Sequence, residues 1–271
     1  MDFKTKLSAA WTKNDSLLCV GLDPDIDKLP AGVDQFTFNK AIIDATADLV
    51  CAFKPNPAFY EALGVEGIGY LESTCSYIKQ NYPAIPIILD SKRGDIGNTN
   101  KAYARAVFDV MQADAVTLHP YFGKDSLTPF LEYKDKGMII MCKSSNSGGG
   151  ELQDLPVEDM KLYEYVAHQV VDNWDEYGNC LLMVGATYPK ELASIRAIAG
   201  TMPILVPGIG AQQGNMQAML EAGLTADGKG LIINSSREII FASNQPDFAE
   251  AARQKTLDAR ETINKYRGSA K

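Results

Sequence analysis

Short apolar runs alternate with longer amphipathic stretches along nearly the whole chain, and this alternation constrains the fold more than any other feature. Short apolar runs bounded by polar or breaker residues are typical of strands buried on both faces of a parallel sheet. The stretches between them repeat apolar residues at helical spacing. The strand candidates are residues 17–22, 51–54, 85–89, 115–118, 138–142, 181–184, 204–206 and 231–233. The helix candidates include residues 3–13, 99–112, 157–177, 213–222 and 248–266.

The number of strand and helix units distinguishes two α/β architectures. Eight units after an N-terminal helix, in a chain of 271 residues, predict a closed (β/α)8 TIM barrel, which typically takes about 250 residues. A doubly wound open sheet would fit the same alternation with fewer strands. Unusual polar or charged residues follow nearly every strand candidate, as expected where all strand ends ring one mouth. We therefore expect a single barrel domain over residues 1–271, with the open sheet as the alternative.

Composition and charge narrow the class of function. The chain is 46% hydrophobic and 22% charged, as is usual for a globular protein, and its formal net charge is -8. That charge disfavours nucleic acid and anionic membranes as partners. The apolar stretches fall short of the roughly 18 residues that span a bilayer, and the N-terminus lacks the apolar core of a secretion signal. We expect a cytoplasmic protein.

Cysteine usage is consistent with that compartment. The five cysteines are odd in number and widely scattered, with no C-x-x-C pair, which argues against a disulfide framework or a zinc knuckle. Buried, reduced thiols are the expected state. These residues are Cys19, Cys51, Cys75, Cys142 and Cys180.

A cluster of charges lies where the third apolar run ends, at residues 90–95, DSKRGD. Side chains two apart on a strand point to the same face. If extended geometry persists there, Asp90 and Lys92 share a face, whereas Asp95 must approach from the following loop or from elsewhere. An alternating cluster at a strand end is typical of the catalytic mouth of an α/β enzyme.

A lysine also ends the second apolar run. Lys54 can be a salt-bridged structural residue, since a buried lysine is costly unless it is paired. With Asp90, Lys92 and Asp95 it can instead complete an alternating four-charge set. Such a network can hold a lysine protonated and aimed as a general acid.

The loops after the last two strands are suited to bind a phosphate. Residues 207–212, PGIGAQ, offer glycines and a following helix N-terminus, and Arg237 after the eighth strand offers a planar guanidinium. These are the usual phosphate loops of a TIM barrel. Two ordinary turns and a surface arginine are the less favoured alternative. No G-x-G-x-x-G follows the first strand, so a dinucleotide fingerprint is not present.

The fifth strand candidate leads into a glycine-rich segment, residues 143–150, KSSNSGGG. It can be a loose loop, or its hydroxyl and amide groups can bind the edge of a heterocycle as part of a closing lid. His119 also ends a strand, but the chain has only two histidines and no matching carboxylate spacing. We therefore reject a histidine-based metal site.

Together these motifs resemble the orotidine 5′-phosphate decarboxylase family, in its longer bacterial subgroup. The signature is residues 89–99, LDSKRGDIGNT, and it is highly specific when joined to the other motifs. Those are FKP at 53–55, SSN at 144–146, PGIGAQ at 207–212 and SR at 236–237. The resemblance implies conversion of orotidine 5′-phosphate to uridine 5′-monophosphate and CO2, without metal or other cofactor. It also implies a homodimer whose active sites are each completed by the neighbouring chain.

By this resemblance the charged residues form the family's catalytic tetrad. Lys54, Asp90, Lys92 and Asp95 match its four positions, and Lys92 matches the proton donor. Asp95 and Thr99 match residues that the partner subunit supplies. Lys92 would stabilise the carbanion that decarboxylation leaves and then protonate it, while Asp90 crowds the departing carboxylate.

The resemblance also assigns the residues that hold the substrate. Asp23, and in part Lys54, match ligands of the ribose hydroxyls, and Ser145 matches the contact to the pyrimidine ring. Gln212 and Arg237 match the phosphate ligands. The chain departs from the family pattern at two loop positions, where Ser147 replaces a frequent proline and Gln213 a common glycine.

Two other functions fit parts of this pattern. Magnesium-dependent sugar-phosphate decarboxylases and aldolases share the D-x-K-x-x-D motif and resemble this chain at the third strand, but they carry a glutamate metal ligand where this chain has Lys54. A catalytically silent barrel that senses a nucleotide phosphate is the other alternative. The intact tetrad favours the decarboxylase over both.

Overall fold

Eight parallel strands form the centre of the structure, a computed structural model that describes residues 1–208 and 213–269. Every predicted strand is present, with ends that move by up to four residues. We number them β1 to β8 along the chain. They are Leu18–Leu22, Ala52–Pro55, Ile88–Arg93, Ala115–Leu118, Gly137–Lys143, Cys180–Val184, Ile204–Pro207 and Leu231–Ser235.

The sheet closes on itself. Its hydrogen-bonded order is β2-β1-β8-β7-β6-β5-β4-β3, and a parallel bridge between Phe53 and Ile87 joins the two end strands, β2 and β3. The Phe53 amide donates to the carbonyl oxygen of Pro86 at 3.0 Å. This closure confirms the (β/α)8 TIM barrel and excludes the open sheet. All residues of β1, β2, β4 and β6 are buried, as strands covered on both faces require.

Helices surround the barrel. The predicted N-terminal helix is confirmed at Phe3–Lys13, and it begins where Asp2 accepts a hydrogen bond from the Thr5 amide at 2.9 Å. The longer helices that follow are Gln35–Thr46, Gly64–Asn81, Gly97–Arg105, Gly123–Leu131, Leu162–His168, Pro189–Ala199, Gln213–Gly223 and Phe248–Ser269. The short ones are Ala58–Glu61, Gly150–Gln153 and Arg237–Ile240, with 3-10 turns at Ile26–Lys28 and Ser147–Gly149. Two helices continue as π-helical turns, Ala106–Val110 and Gln169–Trp174.

The predicted helix over residues 157–177 is wrong at its start. Pro156–Val157 and Met160–Lys161 form a two-residue antiparallel ribbon, and the helix begins only at Leu162. Glu164 accepts a hydrogen bond from the Lys161 amide at 2.9 Å and so caps the helix there. The amphipathic pattern upstream therefore belongs to this ribbon and not to the helix.

The N-terminal helix lies at the end of the barrel where the strands begin. The Phe3 amide donates to Asp135 O at 2.9 Å, next to the start of β5. Lys6 Nζ lies 2.9 Å from Asp114 Oδ2, and the same oxygen accepts the Ile87 amide at 2.9 Å. This buried contact ties the helix to the chain entering β3 and β4. The opposite end of the barrel, where the strands finish, stays accessible.

Candidate active site

A cavity of about 520 Å³ opens at the C-terminal ends of the strands. The residues lining it lie on or directly after β1, β2, β3, β7 and β8, so residues distant in sequence face the same cavity. The residues lining it are Asp23, Lys54, Asp90, Pro207, Gly208, Asn234, Ser235, Ser236, Arg237 and Glu238. The cavity therefore contains four of the nine residues to which the sequence assigns a catalytic or binding role: Asp23, Lys54, Asp90 and Arg237.

Three of the four charges of the predicted tetrad meet at this mouth. Lys54 Nζ lies 2.8 Å from Asp90 Oδ2, and Lys92 Nζ lies 2.7 Å from Asp90 Oδ1. Asp90 thus bridges two ammonium groups, one from β2 and one from its own strand. The side chains of Lys54 and Asp90 are 3% and 5% exposed, whereas that of Lys92 is 35% exposed. Lys92 is therefore the most exposed member of the cluster.

The electrostatics of this cluster keep its buried members ionised. Burial alone would raise the pKa of Asp90, but the charges of Lys54 and Lys92 hold it well below the usual value of an aspartate. Burial alone would likewise lower the pKa of Lys54, but Asp90 and Asp23 raise it above the usual value of a lysine. Since both groups stay charged, Lys92 faces a fixed carboxylate with a fixed cation behind it.

The backbone at Lys92 departs from the extended geometry considered from the sequence. β3 runs on to Arg93 instead of ending at residue 89, its pairing with β4 shifts between Leu89 and Arg93, and Lys92 has a φ of 44°. A positive φ is costly for a residue with a side chain and marks a position held by its surroundings. Asp90 and Lys92 therefore meet in a segment of β3 whose backbone is irregular at Lys92.

Thr117, on β4, holds this irregular segment and was not singled out from the sequence. Its hydroxyl oxygen accepts the Lys92 amide at 2.9 Å and donates to Asp90 Oδ1 at 2.9 Å. A threonine inside the apolar run of residues 115–118 has the pattern of an ordinary strand residue. No signal within the sequence marks its cross-strand partner.

Asp23 follows β1 and faces the cluster. Burial raises the pKa of Asp23, and the charge of Lys54 together with a hydrogen bond from Ser236 partly offsets this rise. Its Oδ1 atom is buried and has no hydrogen-bond partner among the described residues. An acceptor left open in this way is suited to a ligand hydroxyl.

Asp95 and Thr99 contact neighbours in their own loop and helix, and no hydrogen bond or ion pair among the described residues joins them to Lys54, Asp90 or Lys92. Asp95 Oδ1 accepts the amide of Ile96 at 2.7 Å, and the Asp95 carbonyl accepts Asn100 Nδ2 at 2.5 Å. Thr99 is exposed on the helix Gly97–Arg105. Within one chain the structure therefore brings together Lys54, Asp90 and Lys92, but not the fourth member of the predicted tetrad.

Ser145 stands at the rim of the mouth, between the loops that follow β6 and β7. A Cβ added to Gly185 would lie 2.7 Å from Ser145 Cβ, and one added to Gly208 would lie 3.7 Å from Ser145 Oγ. The segment that carries Ser145 is folded rather than loose, because Ser147–Gly149 form a 3-10 turn. Ser147 begins this turn, so the turn forms with serine at a position where the family often has proline.

The two predicted phosphate loops are described in part. Arg237 is exposed at the cavity and begins the short helix Arg237–Ile240. Gly208 has a φ of 91°, which only glycine adopts readily. Gln212 lies outside the described residues, and Gln213 begins the helix that ends at Gly223.

Arg93 and His119 contribute other contacts near the mouth. Arg93 Nη2 lies 2.9 Å from Glu61 Oε1, and the guanidinium stacks 4.6 Å from the centre of the Tyr103 ring. Burial and the charge of Lys92 lower the pKa of His119. Within residues 1–208 and 213–269, no three histidine, cysteine or acidic side chains are grouped to hold a metal ion.

The five cysteines are all free and buried. Burial raises the pKa of Cys19, Cys75 and Cys142 to about 12, so these thiols stay protonated. The expectation of buried thiols is confirmed.

No helix in the described part of the chain combines the length and apolarity needed to cross a bilayer.

A substitution at Gly21 tests how tightly the mouth is built. A Cβ at this position would lie 1.8 Å from Ser236 Oγ and 2.8 Å from Ser236 Cβ. We expect Gly21→Ala to displace Ser236 and its neighbour Arg237. The KM for the substrate that binds in this cavity should then rise about tenfold or more, since overpacking typically costs ~1–3 kcal/mol. Gly69→Ala is the matched control because its added Cβ meets nothing within 4 Å. Steady-state kinetics that leave both variants like the wild type would contradict this packing.

The sequence of this chain is similar to those of known proteins. A sequence model of the "Orotidine 5'-phosphate decarboxylase / HUMPS family" matches residues 16–254. The chain belongs to this family. The orotidine 5'-phosphate decarboxylase of Cellvibrio japonicus is 54% identical over 97% of this chain and 98% of the relative. That of a Janthinobacterium species is 52% identical over 98% and 99%.

Solved structures of the family have the same architecture. The OMP decarboxylase of Leishmania donovani is 40% identical, with a TM-score of 0.87 over 98% of this chain and 99% of its own. A structure described as a putative orotidine-monophosphate-decarboxylase from Toxoplasma gondii is 37% identical, with a TM-score of 0.88 over 98% and 97%. The resemblance stated from the motifs is therefore confirmed over nearly the whole chain.

Proposed function

We propose that this chain is an orotidine 5′-phosphate decarboxylase, a carboxy-lyase that converts orotidine 5′-phosphate to uridine 5′-monophosphate and CO2. The observation that carries the proposal is the Lys54–Asp90–Lys92 cluster at the mouth of a barrel of this family. The test is consumption of orotidine 5′-phosphate by the purified protein, followed by ultraviolet absorbance. The relatives described above carry the same activity in their names.

Lys92 is the proposed proton donor. Breaking the bond between the ring and its carboxylate releases CO2 and leaves the electron pair on the ring carbon. The Lys92 ammonium stabilises that negative charge and then transfers a proton to the same carbon. The Lys92 side chain is 35% exposed, which supports the role, because a proton donor must be able to contact the ring.

Asp90 and Lys54 position the donor. Asp90 holds the Lys92 ammonium by one oxygen and the Lys54 ammonium by the other. A carboxylate in this place also lies against the departing carboxylate of the substrate, which raises the energy of the bound ground state. Both residues stay ionised, so the array needs no reorganisation when charge develops on the ring.

The rest of the substrate is assigned to the rim of the cavity. Asp23 is the proposed ligand of the ribose hydroxyls, together with Lys54, and its unpaired buried oxygen supports this role. Ser145 is the proposed contact to the pyrimidine, and Arg237 binds the phosphate. Gln212 is proposed as a second phosphate ligand from the sequence motif alone.

Arg237 lines the same cavity as Lys54 and Asp90 and is the proposed ligand of the phosphate. Its grip would use phosphate binding energy to assemble the loops around the reacting carbon. We expect Arg237→Ala to lower kcat/KM by roughly 10²-fold or more, since a charge-assisted bidentate contact is lost. Lys255→Ala removes an exposed cation of the C-terminal helix and serves as the control. A normal kcat/KM for Arg237→Ala would contradict the phosphate clamp.

We also propose a homodimer whose sites are shared, with Asp95 and Thr99 supplied by the partner subunit. Their position outside the cluster of their own chain supports this arrangement. Large apolar side chains are exposed nearby in sequence or on the same rim, namely Ile96, Tyr121 and Phe122. Burial of such side chains favours association.

Subunit mixing tests the shared site. Lys92→Ala and Asp95→Ala homodimers should each be inactive, because every site lacks one member of the tetrad. If sites are shared, random re-association yields heterodimers with one intact site, and about a quarter of wild-type activity returns. Activity that stays absent after proven subunit exchange would contradict the shared site.

The magnesium-dependent sugar-phosphate enzymes are the second candidate, because they share the D-x-K-x-x-D motif of the third strand. The donor set disfavours them here: the ammonium of Lys54 lies 2.8 Å from Asp90, where a divalent ion would be repelled. A silent phosphate sensor has no use for this costly charge array.

Five free, buried cysteines support the proposed cytoplasmic location, and residues 1–271 are proposed as one domain.

A further inference from the structure

A fully buried lysine at the end of β5 has no role in the site described above. Lys143 is 1% exposed, and its Nζ lies 2.8 Å from Asp154 Oδ1. The same ammonium sits 5.5 Å from the centre of the Tyr163 ring and 5.1 Å from that of Tyr188. An ammonium is costly to bury and needs well-placed partners. Lys143 is therefore held in one defined position between the strand and the surrounding helices.

The ion pair closes the segment that carries Ser145. Lys143 comes directly before residues 144–153, and Asp154 directly follows the short helix that ends there. Two further hydrogen bonds close the same segment: the Ser144 amide donates to Gln153 Oε1 at 2.9 Å, and Gln153 Nε2 donates to Ser144 Oγ at 2.8 Å. A glycine-rich run that could otherwise take many conformations is thereby tied at both ends.

The position of Ser145 follows from this closure. On one side its backbone and Cβ pack against Gly185, where an added Cβ would lie within 2.8 Å of Ser145 N, Cα and Cβ. On the other side, the residue lies two positions beyond the buried Lys143. A shift of the segment would therefore move Ser145 along the rim of the cavity.

We propose that Lys143 and Asp154 are positioning residues that hold Ser145 for recognition of the pyrimidine ring. The proposal rests on the role of Ser145 given under the proposed function. An ion pair made by a buried lysine adds little net stability compared with an apolar side chain of similar size, but it specifies one geometry. Lys161 also approaches Asp154, at 3.6 Å, but its side chain is 48% exposed and cannot fix the segment in the same way.

Lys143→Met tests the proposal without leaving a buried charge unpaired, because Asp154 is 35% exposed and can be hydrated. Calorimetric titration would compare uridine 5′-monophosphate with ribose 5-phosphate, which lacks the pyrimidine. We expect the variant to bind the nucleotide about tenfold more weakly and ribose 5-phosphate within about twofold of wild type, with an unchanged or higher Tm. Lys161→Met is the control, and both of its affinities should match the wild type.

Three results would overturn the proposal. The first is wild-type affinity of Lys143→Met for the nucleotide. The second is an equal loss for both ligands, which would indicate a general structural defect. The third is wild-type nucleotide binding by Ser145→Ala, which removes the assigned role of Ser145. The decarboxylase assignment is judged separately, by turnover of orotidine 5′-phosphate in the wild type.

Discussion

Replacing Lys92 with alanine is expected to abolish turnover while the barrel stays folded. The variant loses both the charge that stabilises the carbanion and the group that protonates it, so kcat should fall by roughly 10⁴-fold or more. Folding should persist because the Lys92 side chain is partly exposed and Asp90 keeps its second partner, Lys54. Single-turnover assays would measure the loss, and circular dichroism would check the fold.

Lys13→Ala is the matched control for this experiment. Lys13 is exposed in the last turn of the N-terminal helix, far from the mouth, and its loss should leave kcat unchanged. Near-normal turnover by Lys92→Ala would remove Lys92 as the donor and leave the buried Lys54 as the other ammonium in contact with Asp90.

Asp90→Asn is expected to damage both stability and catalysis. Asp90 is 5% exposed and lies within 2.8 Å of two ammonium groups, so the variant leaves Lys54 buried without its carboxylate. Breaking a buried pair in this way costs about 3–5 kcal/mol of unfolding free energy. Turnover should fall as well, because Lys92 loses the group that aims it. Urea unfolding and steady-state kinetics measure the two effects.

The effect of Asp90→Asn should depend on pH. Because the pKa of Asp90 in the folded chain lies below its unfolded value, its stabilising contribution is complete above the unfolded pKa of about 3.9 and is lost as pH falls toward the folded pKa. The stability difference between wild type and variant should therefore be largest near neutral pH and shrink in acid.

Asp48→Asn provides the surface comparison. It breaks the pair between Asp48 and Arg253, whose side chains are 61% and 46% exposed, and should cost less than about 1 kcal/mol. Equal effects of the two substitutions at neutral pH would contradict the buried pair.

The features predictable from the sequence are those set by local pattern. A short apolar run predicts each strand of the barrel. The sequence also predicts that Lys54 and Asp90 lie at the mouth, because successive parallel strands end on the same side of a barrel. The side chains of Lys54 and Asp90 pair at 2.8 Å because β2 and β3 are neighbours in the closed barrel. The sequence pattern implies that these two strands are neighbours only if a barrel is assumed. The chemical roles of Lys54 and Asp90 are proposed from the resemblance to the family motifs.

The features that were missed depend on contacts between distant segments. Thr117 fixes Asp90 and the Lys92 backbone across two strands, yet its own neighbours in sequence are ordinary strand residues. In the sequence Lys143 is only a polar residue at a strand end, and the fold alone shows that it is buried and paired with Asp154. The helix predicted from residue 157 begins at Leu162 because a ribbon and a local cap compete with helical periodicity.

Ultraviolet absorbance of orotidine 5′-phosphate incubated with purified, EDTA-treated protein tests the central claim most directly. We expect a fall toward the spectrum of uridine 5′-monophosphate without added metal, and no such change with Lys92→Ala. An unchanged spectrum, with wild-type protein shown to be folded and dimeric, would contradict the decarboxylase assignment and favour the magnesium-dependent relatives or a silent phosphate-binding barrel.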